Sequence, residues 1–250
     1  MNPEKIDAYE IGLKGEFLDR RLRLNAAGFY YDYQDIQIGL ITGPGLQTVQ
    51  NAASAKVYGL DLDLLAAPTD NLTLRAALNL LDTKYGSFQN AQAFLPRVEG
   101  VTCETPARRV DMATALAIAG GVPTGGNCSY SLDVTGQDLI FAPKLTAQIG
   151  ADYEIPMAGG STLILSGSLY YNDGFDVSPG GIFAHVDSYE TLALSLTWKA
   201  PDDRFFVRLW GDNVTDDVHP VYISNQAQAV QVVNNRPATY GITVGFRLGN

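Results

Sequence analysis

The sequence predicts an all-β protein: an antiparallel segment of a transmembrane β-barrel wall. Three observations lead there. Apolar and polar residues alternate with a period of two through nine separate stretches, the pattern of strands with one apolar face. The connections alternate in length, short after the first, third, fifth and seventh stretches and long after the second, fourth, sixth and eighth. Outer-membrane barrels have short periplasmic turns and longer extracellular loops, whereas a Greek-key sandwich has no reason for strict alternation. The stretches also run to about 10 residues or more, the length a tilted strand needs to cross a bilayer, against about 5–6 in soluble proteins.

Each element follows from its residues. In 8–17, Tyr9, Ile11, Leu13 and Phe17 share a face with Gly15, while Glu10, Gly12 and Lys14 share the other. After the break Leu18-Asp19-Arg20, the second strand (21–38) sets Leu22, Leu24, Ala26, Gly28 and Tyr30 against Arg23, Asn25, Ala27, Phe29, Tyr31 and Tyr33. A loop over 39–50 contains the breaker Gly43-Pro44-Gly45. The third strand runs from about Val49 to Ala66, with Tyr58, Leu60, Leu62 and Leu64 opposite Gly59, Asp61 and Asp63. Pro68-Thr69-Asp70-Asn71 has tight-turn chemistry. The fourth strand, 72–85, alternates Leu72, Leu74, Ala76, Leu78 and Leu80 with Thr73, Arg75, Ala77, Asn79 and Leu81.

The period is lost from Gly86 to Asp138, where only Val110–Ala119 reads as a short helix. Loops of that length are usually functional or disordered. Alternation returns over 143–154, 161–172, 189–199, 204–212 and 239–248, separated by Pro156–Gly160, the loop 172–188, Ala200–Asp203 and the loop 213–238. The last strand is the clearest: Tyr240, Ile242, Val244, Phe246 and Leu248 fall on one face, and Thr239, Gly241, Thr243, Gly245 and Arg247 on the other. The apolar faces are expected to meet lipid and the polar faces a wet lumen. Tyr9, Tyr30, Tyr58, Tyr153, Tyr171, Trp198 and Tyr240 lie near strand ends, as interfacial girdles do.

Composition narrows the function classes. Charged residues make up 18% of the 250 residues and the formal net charge is −10, which argues against a nucleic-acid partner. No apolar run reaches the ~18–20 residues of a membrane-spanning helix, and no apolar export segment follows Met1-Asn2-Pro3-Glu4-Lys5. The expectation is a chain that is cytosolic or not the whole gene product. The count of nine strands, odd where bacterial barrels are even, points the same way, to missing upstream sequence. Cys103 and Cys128 are too few for a cysteine-based zinc site and fit a single disulfide, two unpaired thiols being the alternative.

Four segments resemble TonB-dependent outer-membrane receptors. Asn51-Ala52-Ala53-Ser54-Ala55-Lys56-Val57-Tyr58-Gly59-Leu60-Asp61 is similar to their NAA-A---G-E stretch, and Asn213-Val214-Thr215-Asp216-Asp217 to their N-L-T-D-E segment. Arg236-Pro237-Ala238-Thr239-Tyr240-Gly241-Ile242 resembles their terminal P-R-T-Y-G strand, and Ala8-Tyr9-Glu10-Ile11-Gly12-Leu13-Lys14 their YE-G-K strand. Leu248 stands where members usually carry an aromatic residue, and Gly249-Asn250 extend past it. The resemblance implies that residues 1–250 are the C-terminal part of a barrel of roughly 22 strands, without the N-terminal plug. It implies active import of a bulky nutrient such as an iron–siderophore complex, driven by TonB. The implied partners are outer-membrane lipid, the plug and the TonB complex, a small-molecule or chelate substrate, and the barrel assembly machinery acting on the last strand. No cofactor and no enzymatic activity are implied, and the location is the bacterial outer membrane.

Candidate site residues are few. Cys103 and Cys128 lie in the longest outer loop, where the exterior is oxidising. Tyr31, Tyr33 and Tyr170 point into the lumen near the outer rim, as substrate contacts or as packing against neighbours or a plug. His185 and His219, both in outer loops, read as solvated histidines, and no Asp/Glu/His cluster has zinc or calcium spacing. Asn213, Asp212, Asp216 and Asp217 read as turn caps. Two other functions compete. An outer-membrane barrel enzyme or pore would need a Ser/His pair at the rim, and nothing locates one. A soluble β-rich binding module would stay in solution without detergent.

Overall fold

The computed structural model describes residues 2–43, 46–104, 107–182, 184–201 and 204–247. Strand β1 (Lys5–Phe17) turns through 18–21 into β2 (Leu22–Gly43). Leu18, Asp19 and Arg20 have φ of 54°, 53° and 67°, a left-handed run that follows the twist of a hairpin. Strands β3 (Leu46–Thr69) and β4 (Leu72–Ser87) are joined at Asp70-Asn71. The chain then leaves the wall for β5 (Ala91–Val98), β6 (Arg108–Val110), α1 (Met112–Ala119) and β7 (Pro123–Leu132). It returns in β8 (Leu145–Pro156) and β9 (Thr162–Asn172). A short ladder, β10 (Phe175–Asp176) and β11 (His185–Val186), precedes the wall hairpin β12 (Tyr189–Lys199) and β13 (Phe205–Asp212). A second loop hairpin, β14 (Pro220–Asn225) and β15 (Val230–Asn234), precedes β16 (Thr239–Phe246).

The wall is one nine-stranded antiparallel sheet in the order β1-β2-β3-β4-β8-β9-β12-β13-β16. All nine expected strands are present, and each is hydrogen-bonded to its neighbour along the chain. Register carries the apolar face from strand to strand: Tyr9↔Tyr30↔Tyr58, then Leu60↔Leu80↔Leu145. It continues through Ile149↔Leu169↔Leu192 and Leu196↔Leu209↔Ile242. A slip of one residue anywhere would move a strand's whole apolar set to the other side.

All four stretches read as loops carry ladders: β10–β11 lies within 172–188 and β14–β15 within 213–238, and the other two depart furthest from a loop. Much of 39–50 is ladder, with Gly39↔Val49, Leu40↔Thr48 and Ile41↔Gln47 paired, so β2 and β3 form an arm well past bilayer length. A glycine–proline breaker ends a hairpin without preventing its flanks from pairing. Residues 86–138 form a mini-domain. Its sheet runs β5-β7-β6, with β6 and β7 parallel, and α1 packs against it. The helix starts at Met112, because the Asp111 side chain caps it by accepting from the Thr114 N–H at 2.7 Å and Val110 ends β6.

The main buried core lies in this mini-domain. Phe88, Leu95, Leu132 and Val134 are 0% exposed, and Ala115 and Ile118 of α1 join them. Among the described residues the wall has no such core. Its apolar side chains stand free: Ile11 is 81% exposed, Ile149 62% and Ile242 70%. Burial of one large aliphatic side chain is worth about 1.5–3 kcal/mol. Leaving a whole face of them in water therefore costs on the order of tens of kcal/mol, more than a domain's net stability. Hydrocarbon is the solvent in which that face costs nothing.

Candidate functional site

The two faces of the wall differ in chemistry. On the apolar face the aromatic side chains form two belts. Tyr9, Tyr30, Tyr58, Tyr171 and Tyr240 lie towards the long-loop end, and Phe17, Tyr153, Trp198, Phe205 and Phe246 towards the short-turn end. Tyr9 and Phe17 are eight residues apart, about 27 Å along a strand. At a tilt near 40° that is roughly 21 Å of height, close to the ~25 Å apolar band of outer-membrane barrels. The C-terminal candidates Tyr240, Ile242, Val244 and Phe246 all stand exposed on this face. Leu248 lies outside the described residues.

The opposite face is polar and small. Arg75 pairs with Asp152 across β4 and β8 at 2.5 Å. The Asn79 side-chain amide donates to Asp61, Gln148 donates to Ser168 at 3.1 Å, and the Trp210 indole donates to the Thr243 hydroxyl at 3.1 Å. A groove of about 360 Å³ runs over Ser166, Ser168 and Ser195 between Arg75, Arg208 and Trp210. Glycine keeps this face open. Phe29 lies over Gly59, Trp210 over Gly241 and Phe206 over Gly245, each a cross-strand pair. A Cβ on Gly241 or Gly245 would fall 2.4 Å or 2.1 Å from the ring above it.

The structure does not gather the three lumen tyrosines. Tyr31 stacks on Phe29 at 5.2 Å. Tyr33 packs against the mini-domain core and donates its hydroxyl to Glu4 at 2.7 Å. Tyr170 lies four strands away from both, receives a hydrogen bond from the Asn172 amide at 3.1 Å and meets Tyr189 at 6.0 Å. Tyr189 was missed by the sequence reading. It stacks on His219 with ring centroids 3.7 Å apart and an interplanar angle of 13°. His219 is therefore not a solvated loop histidine: it is 8% exposed and its Nδ1 lies 2.9 Å from Asp217. The stack joins the top of β12 to the loop after β13, a proximity that no periodicity encodes. His185 is exposed, 2.7 Å from Asp176. Among the described residues no group of three or more His, Cys, Asp or Glu is placed to hold a metal.

Cys103 and Cys128 are bonded, with Cα atoms 5.2 Å apart. Cys128 is buried in the mini-domain core. Two asparagines clamp loop roots. Asn51 donates to Asp35 O at 2.7 Å and to Asn2 O at 2.9 Å, closing over the β2 bulge. Asn213 is buried at a φ of 48°. It donates to Asp217 O at 2.9 Å and Arg236 O at 3.1 Å and accepts from the Asp217 N–H. Asp216 accepts from the Ala238 N–H at 2.8 Å. The turn-cap reading holds for Asn213, Asp216 and Asp212, whose carboxylate accepts from the Asn213 N–H at 3.1 Å, whereas Asp217 enters the knot through its backbone and turns its carboxylate to His219.

An exposed apolar face, a wet inner face and long loops at one end are shared by many outer-membrane barrels. A profile of the TonB dependent receptor-like, beta-barrel family matches residues 1–214. The chain belongs to that family. Its members are bacterial outer-membrane proteins, transporters rather than enzymes. Over 84 residues it is 32% identical to the probable TonB-dependent siderophore receptor PiuA of Acinetobacter baumannii, covering 34% of this chain and 11% of that protein. The crystal structure of the ferric yersiniabactin uptake receptor FyuA from Yersinia pestis superposes with a TM-score of 0.68 at 19% identity, over 97% of this chain and 30% of FyuA. That of PiuA gives 0.64 at 18% identity, over 96% and 28%. The chain thus spans less than a third of these relatives, and at those identities the superpositions establish the fold.

Proposed function

We propose that this TonB-dependent receptor chain is the C-terminal wall of a larger barrel, roughly 22 strands around, that imports an iron–siderophore complex. The observation that carries the reading is the single register that keeps nine apolar strand faces on one side of the sheet and the polar faces on the other. Family membership supplies the transport class, and the names of PiuA and FyuA supply the cargo class. In this reading a plug domain fills the lumen and couples to TonB, and β16 is the strand that the barrel assembly machinery engages. The lumen groove over Ser166, Ser168 and Ser195 lies on the path of a passing chelate.

The test is uptake of radiolabelled iron in a Gram-negative host lacking its own siderophore receptors. Cells making the complete receptor that contains this chain should take up iron from at least one member of a panel of hydroxamate, catecholate and mixed-ligand chelates, and deletion of TonB should abolish it. Outer-membrane protein with no TonB-dependent uptake across the panel would defeat the proposal. Recovery in the soluble fraction without detergent would favour the binding-module alternative.

A further inference from the structure

Segments that leave the wall at well-separated strands meet over its mouth. The mini-domain rises between β4 and β8, and the β14–β15 hairpin between β13 and β16. β4 and β13 are four strand spacings apart, roughly 19 Å along the wall. Yet Asn127 of β7 reaches the hairpin. Its Nδ2 donates to Gln226 O at 2.6 Å and to Asn225 Oδ1 at 3.2 Å, and its backbone N–H donates to Ala227 O at 2.8 Å. Asn225 Nδ2 donates back to Phe94 O at 2.8 Å. Gly126, at a φ of 68°, aims the chain into this contact, and a Cβ there would lie 3.4 Å from Ala227 O.

The contact lies over the lumen. The mini-domain core takes in Tyr33, Ala55 and Tyr85, paired as Tyr33↔Ala55↔Tyr85 on the polar face of β2, β3 and β4. The mini-domain therefore leans inward. The loop after β9 braces it, with the Gly180 backbone against Met112, Leu132 and Val134. The residue after Asn127 is Cys128, 1% exposed and bonded to Cys103. The hook is fixed at its root by a covalent bond and at its tip by three hydrogen bonds from Asn127, with a fourth returned from Asn225 to Phe94 of β5.

We propose that Asn127 is the hook of a strap that holds the mini-domain and the β14–β15 hairpin together across the mouth, and that the Cys103–Cys128 disulfide sets its position. Releasing the hook widens the opening above β8, β9 and β12. The strap rests on the receptor reading only for what it admits; its existence is measurable without a cargo. Asn127 is a positioning residue and touches no substrate in this role.

The experiment uses the complete receptor that contains this chain, in the outer membrane of a Gram-negative host. Hydrogen exchange is followed over 220–234, and a Ser168→Cys thiol on the lumen face is labelled with a 5-kDa maleimide–polyethylene glycol. Asn127→Ala should speed exchange of the hairpin and labelling of the thiol about tenfold each, with β8 and β9 amides unchanged. Asn225→Ala should reproduce both effects, which keeps the test decisive if one variant fails to assemble. Cys103→Ser with Cys128→Ser should do the same to the Ser168→Cys protein. Unchanged hairpin exchange in both asparagine variants would overturn the strap, and unchanged labelling would overturn its position over the mouth. Unchanged exchange in the double serine variant would overturn the role of the disulfide. A failure of iron uptake moves none of these readouts, so the two proposals fail separately.

Discussion

Glycine and asparagine do the most at the scale of single residues. Gly241 and Gly245 exist to seat Trp210 and Phe206, since a Cβ at either would meet a ring well inside contact distance. Gly241→Val should therefore cost about 1–3 kcal/mol through overpacking and lift the Trp210 ring from the sheet. Denaturation in lipid and the Trp210 emission maximum, read in a Trp198→Phe background, report both effects. Asp138 gives a pH prediction. Partial burial pushes its carboxyl up, but hydrogen bonds from Lys84 and Lys144 outweigh this and hold it below the usual carboxylate range. A carboxyl depressed on folding lends stability that is complete above its unfolded value, about 3.9. That stability is lost as pH falls through the lower folded value. The β4–β8 junction should thus weaken below about pH 4. Asp138→Asn should erase that acid limb and, because the pair is half-exposed, cost no more than about 1 kcal/mol at pH 7. Denaturation curves at pH 7 and pH 3 check both. The asparagines were legible only as motif letters. Asn51 and Asn213 stood out by resemblance, but their work as clamps depends on carbonyls that sequence does not place near them.

At the scale of elements, the wall was readable and the loops were not. A strand facing lipid on one side and water on the other writes its period into every second residue, which is why Tyr240, Ile242, Val244 and Phe246 identified β16 directly. β5 and β7 bury alternate residues, but Phe94 and Pro96 interrupt the apolar pattern in β5, in β7 it is confined to Cys128, Tyr130 and Leu132, and β6 has only three residues; the Tyr189–His219 stack joins elements with no sequence relation. The face assignment predicts an asymmetry between adjacent residues. Leu194, on the lipid face, changed to Arg should cost about 2–4 kcal/mol if it lies near midplane. Ser195→Arg, on the wet face near Asp152 and Ser166, should cost under about 1 kcal/mol. Folding titrations in phosphatidylcholine vesicles would show the difference, and equal costs would contradict the faces. In the mini-domain, Cys103→Ser with Cys128→Ser opens a loop with a sequence separation of 25 residues. In the chain-entropy treatment this costs about 3–4 kcal/mol, seen as proteolytic nicking within 86–138 while the wall stays protected.

At the scale of the molecule, the protein separates its two solvents. The residues that would form a core in a soluble protein face outward in the wall, and the largest buried cluster sits in the mini-domain at the mouth. This arrangement follows from the bilayer doing for the apolar face what a second sheet does in a sandwich. It also places structured loops where a ligand arrives, one braced by a disulfide and two others packed against it. The central claim is that oily strand faces meet hydrocarbon while their reverse sides enclose water. Spin labels placed one at a time along 192–198 in the membrane-inserted protein test it most directly. Oxygen collision rates should peak at 192, 194, 196 and 198, and collisions with a water-soluble nickel chelate should peak at 193, 195 and 197. Two profiles without opposed two-residue alternation, or with the phases exchanged, would contradict the account.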